Sequence, residues 1–165
     1  MNAAHALIDR YAAGGALLAH ATSELTPAQA VARPGPGTWS IVELAVHLLD
    51  ADLVIAERMK RVLAEDDPVL QAFDENAWVA RLHPEAQALE ETVHLFAAQR
   101  HWMSRVLRAC SDADFARSGR HSEAGRKTLA ELLATTVGHL DHHLRFVYGK
   151  RANLGVALPP HYSAR

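Results

Sequence analysis

Ser40-Ile-Val-Glu43 restricts the folding of this chain more than any other stretch. A serine followed three residues later by a glutamate is a capping box. The Ser40 hydroxyl accepts from the amide of residue 43, the Glu43 carboxylate returns to the amide of residue 40, and a helix starts there. Behind it Ile41, Leu44, Ala45, Leu48, Ile55, Met59, Val62 and Leu63 recur at about 100° per residue and form one apolar stripe. A helix of this kind has to bury its stripe against other elements. Thr128-Leu-Ala-Glu131 repeats the signal and opens a second striped helix, with Leu129, Leu132, Leu133, Thr136, Leu140, Leu144 and Val147 on its apolar face and Gly149 as its expected stop.

Two further long helices fit the periodicity. One is expected from about Ala3 to Ser23, with Leu7, Tyr11, Leu17 and Leu18 inward and Gly14-Gly15 weakening its middle by about 1 kcal/mol each. The other is expected from about Pro84 to Cys110, with Leu89, Val93, Phe96, Ala97, Val106 and Leu107 as core positions. Short helical turns are expected at Thr26-Pro27 to Ala32 and around Asp74 to Trp78, with a loop over Arg33–Thr38 and a polar connector over Ser111–Arg126. No strand pattern or internal repeat stands out. The Ala- and Leu-rich composition, 49% apolar with few β-branched residues, agrees with helix. The expected architecture is all-α: an up-and-down-type four-helix bundle over 1–150, with short extra helices in its connectors and a tail over 151–165.

A formal charge of −2 without a basic block gives no footprint for nucleic acid or an anionic membrane. Cys110 is the only cysteine, so no internal disulfide forms and a reducing cytosol is the expected compartment. The opening residues lack a signal peptide's charged start and apolar run, and no apolar stretch reaches the ~18 residues of a membrane span. A soluble cytoplasmic protein, assembling as a homodimer, is expected.

Histidine is over-used, with eleven in 165 residues. His139 and His143 are four apart, hence one turn apart on the same side of the last helix, at the margin of its apolar face. Such a pair offers a metal two imidazole nitrogens, although a histidine-rich chain produces pairs by chance as surface decoration. His47 is a third candidate, on the flank of the Ser40-capped helix shared with Glu43, Ala51, Val54 and Arg58. Asp52 falls inside the apolar stripe of that helix. Unless it is an exposed rim acid, it needs a cation, a histidine or the outer face of a metal ligand as partner.

Together the residues Gly37-Thr38-Trp39-Ser40-Ile41-x-Glu43-Leu44-x-x-His47-Leu48, then Gly125-x-x-Thr128-Leu129-x-Glu131 and His139-x-x-x-His143-Leu144, resemble the DinB-like (YfiT-like) metalloenzyme family over roughly Ala3 to Lys150. The resemblance implies a four-helix bundle holding a divalent ion through one histidine of the second long helix and two of the fourth. By motif position these are His47, His139 and His143; a slip of one residue would put His142 in place of His143. Phe73-Asp74-Glu75 and Arg100 also resemble recurring family positions, without a role that spacing explains. The family implies thiol transferases and isomerases that use a low-molecular-weight thiol, beside members of unassigned activity.

Three neutral imidazoles leave a zinc ion one open position, or a nickel or iron ion up to three. The open position suits hydrolysis of a small molecule or S-transfer from a thiol. Glu43, Asp50, Asp52 and Asp141 are the carboxylates within helical reach of a ligand that could orient its free ring nitrogen. His94 and His101 read as surface or pocket-edge residues, His121 as a residue able to close over the site, and His5, His20, His83 and His161 as bystanders. Cys110 reads as a small apolar residue rather than a nucleophile. The rival expectation is a non-catalytic bundle with a structural or vestigial metal site. It would act through a dimer or partner surface at Trp78, Trp102 and the 154–160 tail.

Overall fold

A computed structural model describes residues 3–33, 35 and 37–163. Pro34 and Pro36 of the expected 33–38 loop, and residues 1, 2, 164 and 165 of the expected domain and tail, lie outside the described residues. The elements in chain order are α1 (Ala3–Thr22), α2 (Pro27–Val31), α3 (Ile41–Ala64), β1 (Val69–Leu70), α4 (Glu75–Arg81), α5 (Leu89–Arg108), α6 (Asp112–Ala116), β2 (Ser118–His121), β3 (Gly125–Thr128) and α7 (Leu129–Asn153), with a 3₁₀ turn at Pro84–Ala86 before α5. Both expected capping boxes form. Ser40 Oγ accepts from the Glu43 amide at 3.2 Å while Glu43 Oε2 accepts from the Ser40 amide at 2.7 Å, and Thr128 and Glu131 repeat this at 3.1 and 2.7 Å.

The four long helices, α1, α3, α5 and α7, form the bundle, in which α1 and α3 each pack on both α5 and α7. Their directions follow from the contacts. Asp9 meets Arg108 and Gly15 lies against Ala97, so α1 and α5 are antiparallel. Arg10 meets Asp141 and the carbonyl of Ala21 meets Arg151, so α1 and α7 run together. Asp52 meets Arg100 and Lys60 covers Trp102, so α3 and α5 also run together. The long helices therefore run up, down, down, up, and the alternating order expected from the sequence is corrected. The segment 65–88 is long enough to return the chain along the bundle and start α5 in the same direction as α3, as parallel neighbours require.

The core has two apolar layers. Ile8, Ile55, Met59, Val62, Met103, Leu107, Leu129, Leu133 and Val137 fill one; Leu18, Ile41, Leu44, Leu48, Val93, Phe96, Leu140, Leu144 and Val147 fill the other. A polar layer lies between them. Arg100, 1% exposed, donates from Nε and Nη2 to Asp52 Oδ1 at 2.9 and 2.7 Å and from Nη2 to the Thr136 carbonyl at 3.2 Å, and the Tyr11 hydroxyl donates to Asp52 Oδ2 at 3.1 Å. Asp52 thus has the cationic partner its place in the stripe demanded. The same guanidinium explains Gly14: a Cβ there would collide with Arg100 Nη1, and at Gly15 one would stand 2.8 Å from Ala97 Cα. The paired glycines that weaken α1 let α5 and its arginine approach.

Three departures from expectation concern the connectors and helix ends. The polar connector carries a hairpin, β2–β3, to which β1 adds in parallel, so the fold is a helical bundle with a small three-stranded sheet rather than purely all-α. The strands are only two to four residues long, β1 is the dipeptide Val69–Leu70 and β2 and β3 are built almost wholly of polar residues and glycine, so no alternation marks them in the sequence. At Gly119 a Cβ would lie 2.9 Å from the Leu70 side chain and the Pro68 carbonyl, so β1 fits only against glycine. The helix α7 does not stop at Gly149. It continues to Asn153 because the buried Arg151 donates to the carbonyls of Ala21, Ser23 and Val156, and Gly155 takes the left-handed conformation at φ +73°. Likewise α5 begins at Leu89, after the 3₁₀ turn, rather than at Pro84. Among the described residues no helix is long and apolar enough to cross a membrane.

Candidate metal centre

His47 extends from the second turn of α3, and His139 and His143 from two successive turns of α7. Because α3 and α7 are antiparallel neighbours, the histidine near the start of one helix faces the two that flank the middle of the other. The three Nε2 atoms form a triangle: 3.1 Å between His47 and His139, 3.2 Å between His47 and His143, and 3.0 Å between His139 and His143. His47 is 1% exposed, with the Trp39 ring 5.0 Å from its own, and the other two imidazoles are half-buried.

This triangle does not satisfy itself. Each Nε2 carries either a hydrogen or a lone pair, so among three mutually facing atoms at least one edge sets two hydrogens or two lone pairs against each other. Protonation does not relieve it. Burial, together with the neighbouring imidazoles, pushes His139 down to about 4 and His143 down to about 3, and burial also lowers His47. All three are neutral at pH 7, the state in which imidazole ligates metal. Three nitrogens on one zinc-sized ion at roughly 2.0–2.1 Å stand slightly more than 3 Å apart. The donor set and its spacing therefore fit a divalent ion. The Nδ1 atom of His143, buried without a partner among the described residues, shows that no protein acceptor sets its ring tautomer.

None of the four expected carboxylates hydrogen-bonds a ligand ring. Glu43 is held by its capping duty and by Arg33, whose Nε donates to Oε2 at 3.0 Å. Asp52 is held by Arg100 and Tyr11, and Asp141 accepts from the Ser163 amide at 3.0 Å. Asp50 is half-buried beside Val46 and Leu49, its carboxyl pushed up by burial. The acid that does reach the cluster is Glu75, in the first turn of α4, with Oε2 3.8 Å from His47 Nε2 and a half-exposed side chain. Spacing could not reveal it, because its approach depends on how 65–88 folds back.

His142 is exposed, its ring 5.0 Å from Phe146 and 5.1 Å from His143, and it contributes no atom to the triangle. His121 is engaged elsewhere, its Nδ1 accepting from the amides of Glu123 and Ala124 in the β2–β3 turn. His94 lines a groove between α1 and α5, His101 is exposed, and Cys110 is half-buried with its thiol pushed up by burial. His20 stacks on His161 with centroids 4.0 Å apart.

Two antiparallel helices, one histidine from the first and an i, i+4 pair from the second: this is the pattern that the family resemblance implied. The sequence profile of the DinB superfamily matches residues 10–147, which contain all three histidines. The chain belongs to that superfamily. Among its relatives, a protein of Oceanobacillus iheyensis is 29% identical over 112 residues, which are 67% of this chain and 64% of its own length. One of Bacillus licheniformis is 28% identical over 146 residues, covering 84% of this chain and 80% of its own. Both carry the name "putative metal-dependent hydrolase". The solved structure of YfiT from Bacillus subtilis superposes with a TM-score of 0.84 over 90% of this chain and 86% of its own, at 23% identity. It is described as "a probable metal-dependent hydrolase with an unusual four-helix bundle topology". At that identity the likeness speaks for the four-helix-bundle fold alone.

Proposed function

We propose that this chain is a metal-dependent hydrolase of a small molecule, with His47, His139 and His143 as the ligands of one divalent ion. The observation that carries this reading is the triangle of neutral Nε2 atoms, 3.0 to 3.2 Å on a side, on two helices that bring no fourth protein ligand to it. The names of the Oceanobacillus and Bacillus relatives point the same way. Bound there, a zinc, nickel or iron ion supplies a Lewis acid that makes water nucleophilic near neutral pH. The chain's own residues do the rest. The three imidazoles hold the ion from the bundle side, and the Trp39 ring packs over His47 and excludes water behind it. Glu75, reaching in from the exposed side, is the base that takes the proton of the attacking water. Thiol S-transfer would use the same three ligands, with Glu75 accepting a thiol proton, and would show as turnover that depends on an added low-molecular-weight thiol.

The first test is elemental analysis of untagged protein purified without added metal. One equivalent is expected in the wild type, with loss in His47→Ala, His139→Ala and His143→Ala. Glu75→Gln should keep the ion and lower turnover on ester, amide or phosphoester substrates by about 10²-fold or more. Stoichiometric metal in His47→Ala would remove the triad. One equivalent of metal with no turnover on any panel would favour a non-catalytic bundle.

A cytoplasmic location and a homodimer belong to the same proposal. They are supported by a lone, half-buried cysteine and by the exposed Leu53, Leu95 and Trp102 on the neighbouring helices α3 and α5. A monomer mass in sedimentation equilibrium would exclude the dimer.

A further inference from the structure

A cavity of about 520 Å³ lies between α1, α7 and the C-terminal segment, with Arg10, Asp141, His142, Arg145, Tyr162 and Ser163 in its walls. Asp141 and Arg145 project from the side of α7 opposite His139 and His143, so none of the three ligand candidates lines this cavity, and His142, with its ring 5.1 Å from that of His143, is the wall between the two. Two of its polar groups are buried and unpartnered among the described residues: Nε of Arg10 and Oγ of Ser163, the latter on a residue only 7% exposed. Asp141 links the walls without satisfying them. One oxygen accepts from the Ser163 amide at 3.0 Å, and the other stands 3.8 Å from Arg10 Nη2, too far for a hydrogen bond. Arg145 is exposed and pairs with no acid among the described residues.

The unmet demand is for an acceptor. A guanidinium only donates, a serine hydroxyl can donate, and leaving such groups buried and unpaired is costly. The charges of Arg10 and Arg145 against that of Asp141 leave the walls with a positive excess. A carboxylate or phosphate group meets all of this at once: it accepts from a guanidinium edge and a hydroxyl together, through charge-assisted hydrogen bonds. The cavity is far larger than one such group, so space remains beside the Tyr162 ring for an organic body. We propose that this cavity is a binding site for a small molecule with a carboxylate or phosphate head group, held by Arg10, Arg145 and Ser163.

The test is a titration of ¹⁵N-labelled full-length protein with inorganic phosphate and, separately, with acetate, against sodium chloride at matched ionic strength. The same titrations on His143→Ala keep an anion at the histidine cluster from being mistaken for one here. Saturable shifts of the Arg10 Nε–H and the Ser163 amide are expected with at least one probe, and the responding probe distinguishes a phosphate from a carboxylate head. Arg10→Gln and Arg145→Gln should each weaken that binding by about tenfold. Arg145 is exposed, so its variant keeps the test sound if replacing Arg10 disturbs folding. Equal shifts with chloride, no saturable shift with either probe, or unchanged affinity in Arg145→Gln would each overturn the site and leave it to water.

Discussion

Arg100 distributes its donors over the Asp52 carboxylate and the Thr136 carbonyl, while the three imidazoles beside the neighbouring apolar layer face only one another. Both groups are polar, both sit within the same bundle, the first buried and the second partly so, and both bridge helices distant in sequence. They differ in closure. The arginine cluster has matched donors and acceptors and is walled by the Tyr11 and Phe96 rings, 4.6 and 4.4 Å from the guanidinium. The histidine cluster has like groups opposed and an exposed side where Glu75 stands. A closed cluster of this kind specifies how helices pack, whereas the open one offers donors of one kind that converge on a common point and could hold an ion.

Breaking the closed cluster should have the largest effect on the protein itself. Asp52→Ala leaves the Arg100 charge buried without a partner, a change that costs about 3–5 kcal/mol. Urea unfolding of metal-free protein should show this loss, with a drop in Tm on the order of 10 °C. The double change Asp52→Leu with Arg100→Met removes both charges and should recover most of the stability. If the single change costs less than about 1 kcal/mol, Arg100 is not confined to the protein partners described here.

The open cluster should respond to ligand where the closed one does not. Saturating zinc or nickel at 100 to 1,000 times its dissociation constant should stabilise the wild type by about 2.7–4.1 kcal/mol, and His139→Ala or His143→Ala by almost nothing. Asp52→Ala should keep the increment from metal if it folds, since none of its partners is a ligand. Equal stabilisation of wild type and both histidine variants would place the ion elsewhere.

Acid should separate the clusters next. Burial holds His139 at about 4 and His143 at about 3, against about 6.5 in an unfolded chain. Between these values the unfolded state binds more protons. The stability of the metal-free protein is therefore fully present above about pH 6.5 and falls as the pH drops toward the folded values. A loss on the order of 2 kcal/mol by about pH 5 is expected from the two groups together, smaller than the bare shifts imply because the imidazoles are only partly buried. The profile should flatten in the double variant His139→Ala/His143→Ala. An unchanged slope there would assign the acid sensitivity to other groups.

What could be read from the sequence followed from local chemistry. The two capping boxes placed the starts of α3 and α7 within a residue, and the 100° spacing then put His47, His139 and His143 on facing flanks. Asp52 inside an apolar stripe demanded a partner, and Arg100 was available as one. It lies four residues after Phe96 and three before Met103, on the buried face of α5. What could not be read depends on the path between elements. Glu75 reaches His47 only because 65–88 turns back along the bundle, and the parallel run of α3 and α5 is set by the same segment. The strands β2 and β3 carry Ser-Gly-Arg-His and Gly-Arg-Lys-Thr, which leave no period in the sequence, and β1 adds to them only because Gly119 leaves room for Leu70 and Pro68.

The smallest expected effect tests the boundary of the open cluster. His142 follows His139 by three residues, and a one-residue slip in the motif would make it a ligand instead of His143. Its ring instead packs edge-on against Phe146 at 5.0 Å and His143 at 5.1 Å, on the exposed side of α7. His142→Ala removes an exposed ring contact and should change the stability of the metal-free protein by less than about 0.5 kcal/mol. It should also leave one equivalent of metal and the acid profile in place. Loss of metal in His142→Ala with retention in His143→Ala would mean that α7 turns by about 100° when the ion binds, and the triangle described here would then not be the binding geometry. Retention in the first and loss in the second leaves α7 as it stands, with the closed cluster around Arg100 fixing the turn that carries both ligands.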